Sequence, residues 1–212
     1  NNNVKRKFLV SLISYQSLVW LAYQLMLTFG IGLPLILIVW AYFRKERALI
    51  RLLKIYWKTS SLLGISMLLL TEHRPIGYIT LFIAPILMVL SIWFWVDLNE
   101  ELIDYPKFRA LPLTIKIWRW SLTFYGIISI LIYSVSINCL SIAQGSECSS
   151  WNKLPTYILA IIAKIFGFLF GTNWTDALAS FFGYIFLITY VVVFLQWILI
   201  KLPKNGRIAG NF

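Results

Sequence analysis

Four stretches of the chain, residues 8–43, 75–96, 120–146 and 177–200, carry no charged side chain at all. A helix needs ~20 residues to cross a ~30 Å hydrocarbon core, and each stretch exceeds that length. Composition agrees: of 212 residues, 60% are apolar, 17% aromatic and only 13% charged, against about 25% charged in an average soluble domain. The chain therefore reads as all-α, a polytopic membrane helical bundle. A soluble globular fold, a disordered chain, a disulfide-dense secreted module and a DNA-binding domain are excluded. The formal charge of +11 then belongs to membrane topology and anionic headgroups, and not to nucleic acid.

About five spans are expected, at 23–43, 56–71, 75–96, 117–140 and 177–200, within a single transmembrane domain 23–212. Residues 1–22 are expected to form an N-terminal interfacial or partner-contacting segment. Lys5, Arg6 and Lys7 ahead of an apolar run mimic a signal peptide, but no small-x-small cleavage pattern follows at the right distance. Gly30, Gly32 and Pro34 interrupt the first span and predict a kink or a close helix contact, since neighbours in a bundle satisfy the freed backbone groups. The second span is the least apolar, with Lys54 and Lys58 snorkelling at its entrance. Residues 154–174 are apolar but divided by Lys164 into pieces of about ten residues, which suits an interfacial or re-entrant helix better than a crossing. There Gly167 and Gly171 have a GxxxG spacing, which permits close backbone approach; loose packing against the bundle is the simpler reading.

With five spans, one side of the membrane receives 13 of the 19 Lys and Arg residues and the other receives 6. The positive-inside rule puts the C-terminus in the cytoplasm and the 139–176 loop on the opposite side. Cys139 and Cys148 fall at or beyond the outer end of the fourth span. An oxidising compartment permits a disulfide between them; two free thiols are the other reading.

Asp97, Glu100, Glu101 and Asp104 recur at i, i+3, i+4 and i+7, one stripe of a helix leaving the third span. Calcium or magnesium prefers oxygen ligands, but this spacing lacks the looped geometry of a dedicated ion site. Arg47, Arg51, Lys54 and Lys58 form an opposing stripe on an amphipathic helix, of the kind that gains ~1 kcal/mol per cation at an anionic surface. The two stripes, with Lys116 and Arg119, are expected to brace the cytoplasmic ends of the helices. A partner-docking surface is the alternative use of the same charges. His73 lies in a short turn beside Glu72, with no second His or Cys to share a metal. It can ligate a pigment magnesium, respond to pH, or stand as a solvated turn residue. No Ser-His-Asp set, HExxH or phosphate-cradling glycine loop is present. No acidic residue sits mid-span and no internal repeat is visible, which weighs against transport. No metal and no cofactor is required by these residues.

The strings LPLILIVWAYFRK, IYWKTSSLLGISMLLL, RPIGY, SIWFWVDLNEEL and WRWSLTFYG resemble a family of cyanobacterial integral membrane proteins that has no assigned reaction. The similarity covers residues 18–126, and SIWFWVDLNEEL, with Asp97, Glu100 and Glu101, is its most specific part. The resemblance implies a thylakoid membrane, with the 139–176 loop lumenal. In that setting a photosystem or another bioenergetic complex is the expected partner, and the spans have room to bind chlorophyll, carotenoid or lipid. The expected function is a non-catalytic subunit or assembly factor of such a complex, its spans packing against partner helices, lipids or pigments. A small transporter or channel, and a lipid- or quinone-directed membrane enzyme, are the alternatives.

Overall fold

Two tight turns fold the first three long helices back on one another. The computed structural model describes residues 16–104, 110–140, 148–171 and 174–209, and these are helical with no strand. Most of the expected N-terminal segment, residues 1–15, lies outside the described residues. Helix α1 spans Gln16–Arg44, α2 Arg47–Leu70 and α3 Pro75–Trp93. The short α4 covers Val96–Ile103. Then come α5, Ala110–Ser136, α6, Cys148–Phe170, and α7, Asp176–Lys204. Both turns close in the same way. Lys45 and His73 adopt left-handed backbone angles, φ 57° and 55°. Their N–H groups and those of Glu46 and Arg74 then reach back to the last helical carbonyls at 3.1–3.2 Å. This double capping satisfies carbonyls that a helix end would otherwise leave orphaned.

Helix α1 is continuous from Gln16, so residues 16–22 are its first turns and not a separate interfacial segment. Its middle is a π-helical stretch, Met26–Gly32. Pro34 is the cause. It has no N–H and stands where the π register gives way to α, so residue 34 can bond neither the Gly30 carbonyl four residues earlier nor the Phe29 carbonyl five residues earlier. Neighbouring helices supply replacements: Tyr56 donates from Oη to the Gly30 carbonyl at 2.6 Å, and Trp118 donates from Nε1 to the Phe29 carbonyl at 3.1 Å. The rings of Tyr56 and Trp118 meet edge to face at 5.0 Å. The glycine–proline interruption is therefore the place where α1, α2 and α5 are joined.

By length and composition, five helices among the described residues are able to cross a membrane: Gln16–Arg44, Pro75–Trp93, Ala110–Ser136, Ser150–Leu169 and Asp176–Lys204. Geometry sorts them differently. The bundle has two ends. At one, Arg51 of α2 meets Glu101 of α4, and Trp197 of α7 packs on Phe94 and Trp95. At the other, the turn after α2 meets the starts of α6 and α7, through His73 with Asn152 and Glu72 with Ser180. We call them the basic end and the disulfide end. Helix α6 starts at the disulfide end, where Tyr23 donates to the Trp151 carbonyl at 2.6 Å. It finishes there too, with Phe166 4.9 Å from Trp174, which stacks on Phe182 near the start of α7 at 5.6 Å. A 23-residue helix rises ~34 Å, whereas the link 171–175 reaches at most ~17 Å. Had α6 run to the basic end, α7 could not begin at the disulfide end. Helix α6 therefore lies across that end, while α1, α2, α3, α5 and α7 run from end to end.

Helix α2 begins at Arg47, where the sequence placed a span only from residue 56. Its four basic residues make it poorly apolar, yet most of its surface is buried, packed against α1, α3, α6 and α7. Protein neighbours substitute for the lipid that its composition would disfavour. Gly126 sets a close approach, and Gly171 ends a helix. A Cβ at Gly126 of α5 would collide with Val89 of α3. Gly171 has φ +67° and donates to the Gly167 carbonyl at 2.9 Å. The GxxxG spacing thus ends a helix; a Cβ at Gly171 would meet nothing within 4 Å.

Candidate functional site

The basic end gathers most of the chemistry-bearing residues. Helix α4 starts because Trp95 is extended, φ −86° and ψ 115°, which turns the chain away from α3, and Asp97 then occupies the first turn, where a carboxylate favours the helix dipole. Leu98 is fully buried and holds this short helix against the bundle. The acidic stripe divides in use. Asp97 accepts from the Ala209 N–H at 2.9 Å. Glu101 accepts from Arg51 Nη2 through both oxygens, at 2.6 and 2.8 Å. Glu100 and Asp104 stay exposed. Of the basic stripe, Arg51 joins α4, while Arg47, Lys54 and Lys58 are exposed.

The C-terminal residues strap across the break between α3 and α4. The Val96 N–H donates to the Arg207 carbonyl at 3.1 Å. Arg207 in turn donates from Nε to the Phe94 carbonyl at 2.9 Å, with its guanidinium 5.2 Å from the Phe94 ring centroid. Under α4, Arg119 is buried and does not meet the carboxylate stripe. It donates from Nη2 to the Ile92 carbonyl at 2.7 Å and to Asn99 Oδ1. It also lies 4.1 Å from the centroid of the Trp93 ring. Asn99 donates onward to the Trp93 carbonyl at 3.0 Å. The sequence reading passed over Asn99, although it joins α3, α4 and α5; its only signal was a polar amide inside the acidic stripe.

At the disulfide end, Cys139 and Cys148 are bonded, fastening the end of α5 to the start of α6. His73 faces the Asn152 side chain, so its ring ties the turn after α2 to α6. Glu72 accepts from Ser180 and from Arg74, the latter at 2.9 Å. These bonds, that from Ser180 foremost, hold its carboxyl below the ordinary carboxylate range. Asn152 and Ser180 carry no chemical signature in the sequence; they matter because distant helices arrive beside the Glu72-His73 pair. Among the described residues, no three His, Cys, Asp or Glu side chains gather in a group able to hold a metal ion.

These features define a polytopic α-helical integral membrane protein with two differently built ends. The family model described as "Protein of unknown function (DUF3177)" matches residues 16–210, and the chain belongs to that family. No curated protein and no solved structure matched the chain.

Proposed function

We propose that the protein is a non-catalytic integral subunit or assembly factor of a larger membrane complex, docked through its basic end. One observation carries this reading. Arg51, Asp97, Asn99, Glu101, Arg119 and Arg207 are bonded within the chain, whereas Glu100 and Asp104 stand exposed on α4, and Arg47 and Lys54 on α2. Such a mixed charged surface suits recognition and orientation more than stability, because exposed pairs contribute only ~0–1 kcal/mol each. The basic end is cytoplasmic by the positive-inside rule. The disulfide end faces an oxidising compartment, which agrees with its bonded cysteines. The resemblance carried by SIWFWVDLNEEL supports a cyanobacterial thylakoid membrane and a photosynthetic complex as the setting, with the disulfide end lumenal.

A tagged copy expressed in its native membrane and solubilised in mild detergent tests this on native gels. Co-migration with a large complex, lost in Glu100→Lys/Asp104→Lys and weakened by raised salt, is the expected result. Migration alone at low salt would refute it. Substrate-dependent flux or turnover by the isolated chain would favour a transporter or an enzyme instead.

A further inference from the structure

Arg119 is the one charged side chain among the buried residues described, at 7% exposure. A buried cation is costly unless it is paired and hydrogen-bonded. The Arg51–Glu101 and Arg74–Glu72 ion pairs do not involve it. Nη2 is used, Nε is enclosed by protein without an acceptor, and Nη1 is the donor left toward the surface. Its depth is informative. It bonds to Ile92, near the end of α3, and the rise from Pro75 to Ile92 is ~26 Å, close to one hydrocarbon thickness. Arg119 therefore lies at a headgroup boundary. The Trp93 ring over it meets the ring of Trp120 at 5.4 Å, and Trp120 is 61% exposed, as interfacial indoles are. Lys116 is exposed one turn nearer the basic end. Below Trp120, the exposed side chains Phe124, Ile127 and Leu131 continue one face of α5. From Trp120 to Leu131 the helix rises ~16 Å, about the depth of one leaflet.

We propose that Arg119 and Lys116 form the headgroup site of an anionic phospholipid, with its acyl chain along the Trp120–Leu131 ridge. A partner carboxylate would satisfy the guanidinium equally well, but it gives no use to a one-leaflet apolar ridge starting at the cation. The site depends on the membrane setting and not on the subunit reading. Interfacial cations gain about fivefold in affinity each from an anionic headgroup. Arg119 adds the N–H groups of Nη1, charge-assisted donors suited to a phosphate oxygen and fixed in place by the bonds of Nη2.

The full chain, purified in neutral detergent, is titrated with phosphatidylglycerol, with phosphatidylcholine of the same chains, and with inorganic phosphate. Native mass spectrometry reads retained lipid, and thermal unfolding reads stabilisation. Phosphatidylglycerol is expected to be retained and to raise the unfolding midpoint, with the other two inert. Lys116→Gln, at an exposed position, lowers retention about fivefold. Arg119→Gln abolishes it. Because Arg119 also holds α4, Asn99→Ala is the control: it loses the α4 contact, keeps the guanidinium and retains lipid. Equal retention of phosphatidylcholine, or stabilisation by phosphate alone, overturns the assignment. So does undiminished phosphatidylglycerol binding in both cation variants, or a co-purifying acidic chain whose binding, and not that of lipid, those variants abolish.

Discussion

Gly126 and Gly64 make a matched pair for testing how the helices are packed. Replacing a helical glycine with alanine lowers the backbone entropy of the unfolded chain and favours the helix by about 0.5–1 kcal/mol. At Gly64 in α2 nothing lies within 4 Å of an added Cβ, so Gly64→Ala should express that gain. At Gly126 the same methyl would overlap Val89 Cγ2, with the Pro85 carbonyl oxygen 3.8 Å away. Valine in a helix is largely confined to one rotamer and cannot swing clear, so α3 and α5 must separate. Overpacking of this kind costs about 1–3 kcal/mol, which outweighs the helix gain. Gly126→Ala should therefore destabilise where Gly64→Ala stabilises. Thermal unfolding in detergent, followed by far-UV circular dichroism, reads both signs. Adding Val89→Ala to Gly126→Ala should recover part of the loss, with a coupling of about 0.5–3 kcal/mol, typical of side chains in contact. Gly126→Ala as stable as Gly64→Ala, or strict additivity with Val89→Ala, would refute the close approach.

Glu101→Lys should lose up to ~1 kcal/mol of stability, the modest value reflecting side chains that are 31% and 45% exposed; Arg51→Glu in the same chain should restore it, and failure to do so would show that the pair does not brace α2 to α4. Glu72, held below its ordinary 4.5 chiefly by the Ser180 hydroxyl, contributes stability that is present above pH 4.5 and is lost as pH falls through its lower folded value. Melting midpoints taken across that window should fall more steeply for the wild type than for Glu72→Gln, and parallel curves would contradict the assignment. An impermeant thiol reagent should reach single cysteines placed at Lys153 and Lys204, both exposed, from opposite faces of sealed vesicles; labelling of both from one face would sink the topology in which α6 lies across the disulfide end.

Apolar periodicity and charge-free length made the all-helical membrane class legible, but not the course of α6: Ser150–Leu169 is long and apolar enough to cross, and only its contacts with distant helices keep it at one end. Periodicity tells which face of a helix avoids water; it does not tell which neighbour that face meets. That is why α2, with four basic residues, was read as a span only from residue 56, although burial by other helices supports it from Arg47. The same limit explains Arg119. Its charge suggested a carboxylate partner, but the end of α3 places the Ile92 carbonyl and Asn99 nearer. The Gly167–Gly171 spacing matched a helix-contact motif, and only the left-handed angle at Gly171 reveals a terminus. The Asn152 and Ser180 contacts span 79 and 108 residues, distances over which local pattern carries no information.

The π-helical middle of α1 has a consequence for how the protein is made. The donor for the Gly30 carbonyl, Tyr56, is synthesised 26 residues later, and the donor for the Phe29 carbonyl, Trp118, 89 residues later. A carbonyl left unmatched in hydrocarbon costs several kcal/mol. Helix α1 released alone into the bilayer would carry two such debts; the α1–α2 hairpin would carry one. Insertion should therefore proceed with α1 retained beside the translocation machinery until α5 emerges, and chains truncated before Trp118 should be held there or degraded.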